Sequence, residues 1–248
     1  MVFSNTTDKN GGIQTMEFWT GLGDAGISGD STLLKVMTSR VNASFDSIMP
    51  KLLSFSDTIR WDDTNHTDLP IGTLNLVSGQ VDYTVAEDDN SLDILNLTNV
   101  RILQSATDTE YVDLQRIYID DPLAPEVMSP NPSNTGIPSH YLERGNTIFL
   151  YPEPNYSATA GIKLFFEREQ SYFASTDTTK EPGIPKPFHE LLFLMAALDW
   201  LLVNKPESSV LITRLELRIR EKQIQLDNLI SARNPMRPGI TMKGISHR

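Results

Sequence analysis

The chain has 248 residues, 39% of them apolar and 21% charged, with no cysteine and a formal net charge of −11. That length sets one or two domains, because single hydrophobic cores stop growing near ~250–300 residues. The lack of cysteine excludes disulfides, zinc–thiolate sites, iron–sulfur clusters and cysteine nucleophiles. The most apolar run, Leu191 to Val203, contains Asp199 and falls short of the ~18 residues that span a bilayer. With no basic-then-apolar pattern at the start, the expectation is a soluble chain with no membrane partner.

The charge is uneven. Residues 1–100 carry 14 acids and 5 bases, whereas residues 181–248 carry 7 acids and 10 bases. The final stretch, residues 233–248, holds Arg233, Arg237, Lys243 and Arg248 and no acid. An acidic body repels nucleic acid unless a basic patch is set apart from it. This tail reads either as a solvated terminus or as an arm for an acidic partner surface.

In chain order, residues 1–30 hold six of the 14 glycines and read as an extended arm anchored by Met16, Phe18 and Trp19. Asp30-Ser31-Thr32 supplies N-cap oxygens. Leu34, Met37, Val41, Phe45, Ile48 and Leu52 follow at spacings of three and four, one face of an amphipathic helix. Pro50 lacks the N–H a helix interior needs, which predicts a break or kink near Met49. From residue 69 the pattern turns to short strands: 74–77, 81–85, 94–103, 114–119, 147–151 and 162–167, each bounded by turn residues. No helical pattern separates them, which favours antiparallel pairing. Residues 122–138 form a connection with five prolines, long enough to suggest an interaction role. Residues 188–203 are apolar nearly all round, as in a helix buried on every side. A last helix, 207–232, carries one stripe of Ile212, Leu215, Ile219, Leu226 and Leu229, with Leu217 and Ile224 on another side. That second side faces either the same domain or a neighbouring subunit, so Leu217 and Ile224 are the candidate inter-subunit residues.

The fold class is therefore α+β. A helical bundle from residues 31–68 and 171–232 brackets an inserted antiparallel β-sandwich-like domain, 69–170. Extended arms, 1–30 and 233–248, lie at the ends.

Little points to catalysis. Gly21-Leu22-Gly23-Asp24-Ala25-Gly26 fits GxGxxG, but a dinucleotide site needs a strand before it and a helix opening at its end. Here neither is indicated, so the default is a flexible glycine-rich segment. Asp62, Asp63, His66 and Asp68 could hold a hard cation, yet lack the spacing and turn glycine of a calcium loop; a polar connection is the better reading. Glu87-Asp88-Asp89 reads as a charged hairpin tip. The four histidines, His66, His140, His189 and His247, form no HExxH motif, and no GxSxG elbow occurs. Tyr151, Tyr156, Phe165, Phe166, Tyr172 and Phe173 have few basic neighbours and read as sheet core rather than a nucleic-acid groove. No enzyme activity and no cofactor or metal are expected.

One set of motifs is more telling. It runs Trp61-Asp62-Asp63, then Leu76-Val77-Ser78-Gly79-Gln80-Val81-Asp82-Tyr83, then Gly136-Ile137-Pro138-Ser139-His140-Tyr141. Gly145-Asn146-Thr147-Ile148-Phe149-Leu150-Tyr151-Pro152-Glu153-Pro154 and Gly183-Ile184-Pro185-Lys186-Pro187-Phe188-His189-Glu190 complete it. Across about 60–205 the chain resembles the head-to-tail connector proteins of tailed bacteriophages, the adaptor family beneath the portal. The resemblance implies a structural virion protein of the neck, made in the host cytoplasm. It implies a homo-oligomeric ring, commonly of twelve copies, that joins the portal to a downstream neck or tail protein and lets genomic DNA pass without sequence-specific binding. It places the portal-docking arm at Arg233, Pro235, Arg237, Pro238, Lys243 and Arg248. Two other readings stay open: a stopper or tail-tube component, and a glycan-binding or depolymerase module of a host-recognition structure.

Overall fold

The computed structural model describes residues 1–53, 70–89, 91–128 and 134–233. The chain divides into two compact units, Met1–Trp61 with Tyr172–Arg248, and Asp62–Ser171. The first is helical and the second holds the strands, so the protein mixes helices with largely antiparallel sheets.

The helical unit is organised around its most apolar helix. α1 (Gly12–Thr20), α2 (Ser31–Leu53) and α5 (Ser209–Arg233) all pack on α4 (His189–Asn204). Leu191, Leu192, Phe193, Leu194, Ala196, Ala197 and Leu201 of α4 are buried. With the 3₁₀ turn before it, the segment Lys186–Asn204 is long and apolar enough to cross a membrane; packing among three helices buries its apolar side chains as far as Leu201, but the helix is not buried on every side, because Leu202 and Val203 are 49% and 66% exposed. Asp30 caps α2, its Oδ1 accepting from the N–H groups of Thr32 (2.9 Å) and Leu33 (3.1 Å).

Two expectations for this unit need correction. Residues 1–30 are not an extended arm: they hold α1, and Phe3, Ile13, Met16 and Ile27 are fully buried. Phe3 stacks on Phe173 with centroids 4.7 Å apart, and its N–H donates to Lys180 O at 2.8 Å. The many glycines masked a short helix whose Ile13, Met16, Glu17 and Thr20 share one buried face. Of the expected anchors, Met16 is buried but Phe18 is 77% exposed. Second, of the break or kink expected near Met49, the break is absent: α2 runs through Pro50 to Leu53. Pro50 sits in the last turn, where its missing N–H forfeits one hydrogen bond and little helix remains to be disturbed.

The second unit contains two four-stranded sheets. One has the order β1 (Ile71–Leu76), β10 (Ala158–Arg168), β3 (Ile94–Leu103), β4 (Tyr111–Asp113), all antiparallel. The other has the order β2 (Asp82–Thr84), β8 (Thr147–Tyr151), β7 (His140–Arg144), β5 (Gln115–Ile117). Both sheets contribute to one buried cluster, including Leu76, Val100, Ile162 and Phe166 from the first and Tyr83, Tyr141, Ile148 and Leu150 from the second. The period-two pattern of strands sets this: in β8, Ile148 and Leu150 are buried in that cluster, while Phe149 and Tyr151 pack with Leu142 near α3 (Ala124–Met128).

Pairing is not antiparallel throughout. β5 runs parallel to β7, and β6 (Thr135–Gly136) parallel to β9 (Glu153–Pro154). Parallel neighbours need a crossover, and the proline-rich connection supplies it between β5 and β7, carrying α3 against the sheet. The Leu114–Ile119 run splits likewise: the chain leaves the first sheet after Asp113 and joins the second at Gln115.

Candidate interaction surfaces

The candidate inter-subunit residues lie on α5. Its inner face buries Leu215, Ile219, Leu226 and Ile230. Glu190 at the start of α4 holds it there, 3.2 Å from Arg218 and 3.3 Å from Lys222. Leu217 and Ile224 are 56% and 50% exposed, on the opposite side. Val210, 67% exposed, extends them. The three are seven residues apart, two turns of helix, and so form one stripe along the outer face. Sequence reading missed Val210; its signal was the spacing of seven before Leu217. Of the expected arm, Arg233 is the last residue of α5. Pro235, Arg237, Pro238, Lys243 and Arg248 lie outside the described residues, as do Trp61, Asp62, Asp63, His66 and Asp68.

The remaining motif pieces meet in the strand unit. Gly79 takes φ +81° in the turn after β1, a conformation costly for residues with a Cβ. Tyr83 closes that turn: its hydroxyl accepts from Val77 N–H at 3.0 Å and donates to Gln80 O at 3.1 Å. Burial raises the Tyr83 phenol above its usual pKa, which keeps it a donor. Gly79 N–H donates to Pro154 O at 2.8 Å, so the glycine–glutamine turn is tied to the Tyr-Pro-Glu-Pro segment. That segment pairs in turn with Thr135–Gly136, and Ser139 N–H donates to Tyr151 O at 2.9 Å. The motifs therefore specify backbone geometry at one end of this unit. The Gly-Ile-Pro piece does the same for α4: Ile184 O lies 2.6 Å from His189 Nε2, and Phe188 N–H donates to Pro185 O at 2.9 Å.

The glycine-rich loop is filled from within. Gly21 ends α1 at φ +63° and Gly23 follows at +80°. The loop amides that could cradle a phosphate are turned on a carboxylate instead. Glu17 Oε1 accepts from the N–H of Ile27 (3.0 Å), the N–H of Ser28 (2.7 Å) and the hydroxyl of Ser28 (2.8 Å). Beside it an open cleft of about 480 Å³ is lined by Phe18, Gly21 and the Lys9–Asp24 pair. An anion would have to displace Glu17, so the loop serves to lock α1 to the entry of α2.

Other titratable groups also serve structure. His189 is fully buried, with Nδ1 2.9 Å from the Met1 ammonium nitrogen; burial holds its pKa below the usual 6.5. Asp88, expected in a charged hairpin tip, does lie in a turn, closed by the Glu87–Asp93 bridge, but its side chain is buried against Arg168, the two 3% and 2% exposed, so the turn before β3 is pinned to the end of β10. Tyr156, donating to Leu103 O at 2.5 Å, is pushed by burial to about 12. Phe165 departs from the core reading: Arg101 and Lys163 lie over its ring, 5.1 and 5.7 Å from the centroid. Arg101 is also held by Asp113 at 2.6 Å. Among the described residues no three His, Asp or Glu side chains converge as a metal site.

Comparison with known families gives one finding: the model described as SU10 adaptor protein matches residues 58–222. No curated protein matches the chain.

Proposed function

The chain belongs to the SU10 adaptor protein family, and from that premise we propose that it joins the portal to the tail as a ring of identical copies. Membership makes it a bacteriophage adaptor and a structural component of the virion, outside the enzyme families. The ring, its site and its partners are the proposal. The observation that carries it is the outer face of α5: three large aliphatic side chains in line on a helix whose other face is already packed. A soluble protein scatters its exposed apolar residues singly, and an ordered line of them marks a contact.

In this reading the copies, twelve by analogy with related adaptors, contact one another through Leu217 and Ile224. The acid-free segment from Arg233 to Arg248 reaches the portal. Pro235 and Pro238 favour an extended path for it, and its four bases set the register on an acidic partner. The strand unit carries 18 acids against 5 bases. A wall of that charge repels a passing duplex and leaves DNA free to move. The opposite end of the ring is left for a downstream neck or tail protein.

The experiment mixes purified portal with the full chain and with a chain ending at residue 233. The full chain is expected to add a ring to the portal in sedimentation and negative-stain images, and the shortened chain to fold but not attach. Attachment undiminished by the truncation would move the docking surface elsewhere, and no attachment of the full chain would contradict the function.

A further inference from the structure

The outer face of α5 has a counterpart on the same unit. α2 buries Met37, Val41, Phe45 and Ile48, and on its opposite side Val36, Ala43 and Pro50 are exposed. These too are seven residues apart. One helix therefore presents Val210, Leu217 and Ile224, and the other Val36, Ala43 and Pro50: bulky side chains on one stripe, smaller ones on the other.

The two stripes also lie at comparable heights. α2 ends beside the last turns of α5, where Lys51 pairs with Asp227 at 2.5 Å. The start of α4 meets α5 earlier, through Glu190 with Arg218 and Lys222, and α2 packs along α4. The two helices thus run in the same direction. The Lys51–Asp227 pair brings the ends of the stripes, Pro50 and Ile224, to the same height within the reach of a lysine side chain.

Resting on the ring reading above, we infer that the outer face of α5 in one copy packs against the outer face of α2 in the next, Leu217 seating near Ala43. A rotation about an axis along these helices leaves heights unchanged, so the two stripes of neighbouring copies meet in near register. The joint uses two different surfaces, so its repetition builds a ring where the rotation closes, and not a two-fold dimer. Charge favours contact here. The strand unit has a net charge of −13, from 18 acids and 5 bases, whereas the helical unit has 16 bases and 14 acids, a net of +2. Copies repel through the first and can touch through the second.

Area sets the number of joints needed. Two helices about 10 Å wide meeting over about 30 Å cover on the order of 300 Å² on each side, roughly 600 Å² per joint. A stable complex buries about 1,200 Å² or more in total. One joint is too small to hold a pair. A closed ring gives every copy two joints, so closure stabilises what an open pair does not.

The absence of cysteine makes the test clean. A chain carrying both Ala43→Cys and Leu217→Cys is oxidised at concentrations where oligomers form, beside the two single variants. Both positions are exposed, and unchanged thermal melting verifies the fold. The expected result is a ladder of disulfide-linked species beyond dimer for the double variant, at least tenfold above either single variant. Dimers from Leu217→Cys alone would mean that α5 meets α5, and would overturn the pairing. Oligomers by sedimentation with no crosslink in the double variant would overturn the pairing while sparing the ring. No oligomer of the unmodified chain, with or without portal, would sink both.

Discussion

His189 shows how a side chain with catalytic potential becomes part of a core. It stands second in Phe188-His189-Glu190, where the apolar run begins, and nothing in the sequence tells a packed imidazole from a reactive one. The partners decide: Ile184 O on one ring nitrogen and the Met1 ammonium beside the other. Because burial depresses its pKa below 6.5, the folded state resists protonation while the unfolded chain accepts it. Stability is then full above about pH 6.5 and falls as the pH drops through that value. Glu181, beside the Met1 ammonium at 3.5 Å, acts in a separate window. Burial opposes its ionisation, but the neighbouring ammonium, Lys186 and His189 outweigh this and lower its pKa below 4.5. Its contribution is lost only on going below that value. Thermal melts should therefore show a lower Tm at pH 5 than at pH 7.5. His189→Gln should flatten that slope; an unchanged slope would assign it to another group. Asp88 and Glu17 were equally opaque. Asp88 reads as part of a charged hairpin tip and Glu17 matches no motif, yet Asp88 is committed to Arg168 and Glu17 to the Ile27–Ser28 amides.

At the scale of elements, periodicity was legible wherever one face alone is buried. The expected limits 94–103 and 147–151 coincide with β3 and β8, and the Asp30 cap was readable from the residue type. Elements defined by a partner were not. β4 and β5 are three residues each and exist because β3 and β7 lie beside them. α1 went unread because its helix is short and its contact with α4 depends on an absent side chain. A Cβ on Gly12 would lie 2.2 Å from the ring of Phe193, itself fully buried. Gly12→Ala should therefore force the two helices apart and cost about 1–3 kcal/mol in urea denaturation. A neutral or stabilising effect would mean that the contact yields easily. The outer stripe of α5 was half legible: Leu217 and Ile224 were off the main stripe by eye, but exposure could be assigned only once α4 was in place.

For the whole molecule, the informative feature is how charge is divided and where exposed apolar residues fall in line. Nearly all the net charge belongs to the strand unit, and the ordered lines of exposed aliphatic residues on α2 and α5 belong to the almost neutral helical unit. Sequence windows of 100 residues blurred this division, since the helical unit is built from both ends of the chain. A protein so divided is suited to touch its copies through helices and to keep a repellent surface for something that must pass. The family match fixes the broad class; the ring is the claim that everything else serves. Reconstruction of the intact particle by electron cryomicroscopy tests it most directly. The account predicts a closed ring of this chain between portal and tail, with α5 of each copy against its neighbour. Density for the chain anywhere but the neck, or copies there that do not touch through their helices, would contradict it.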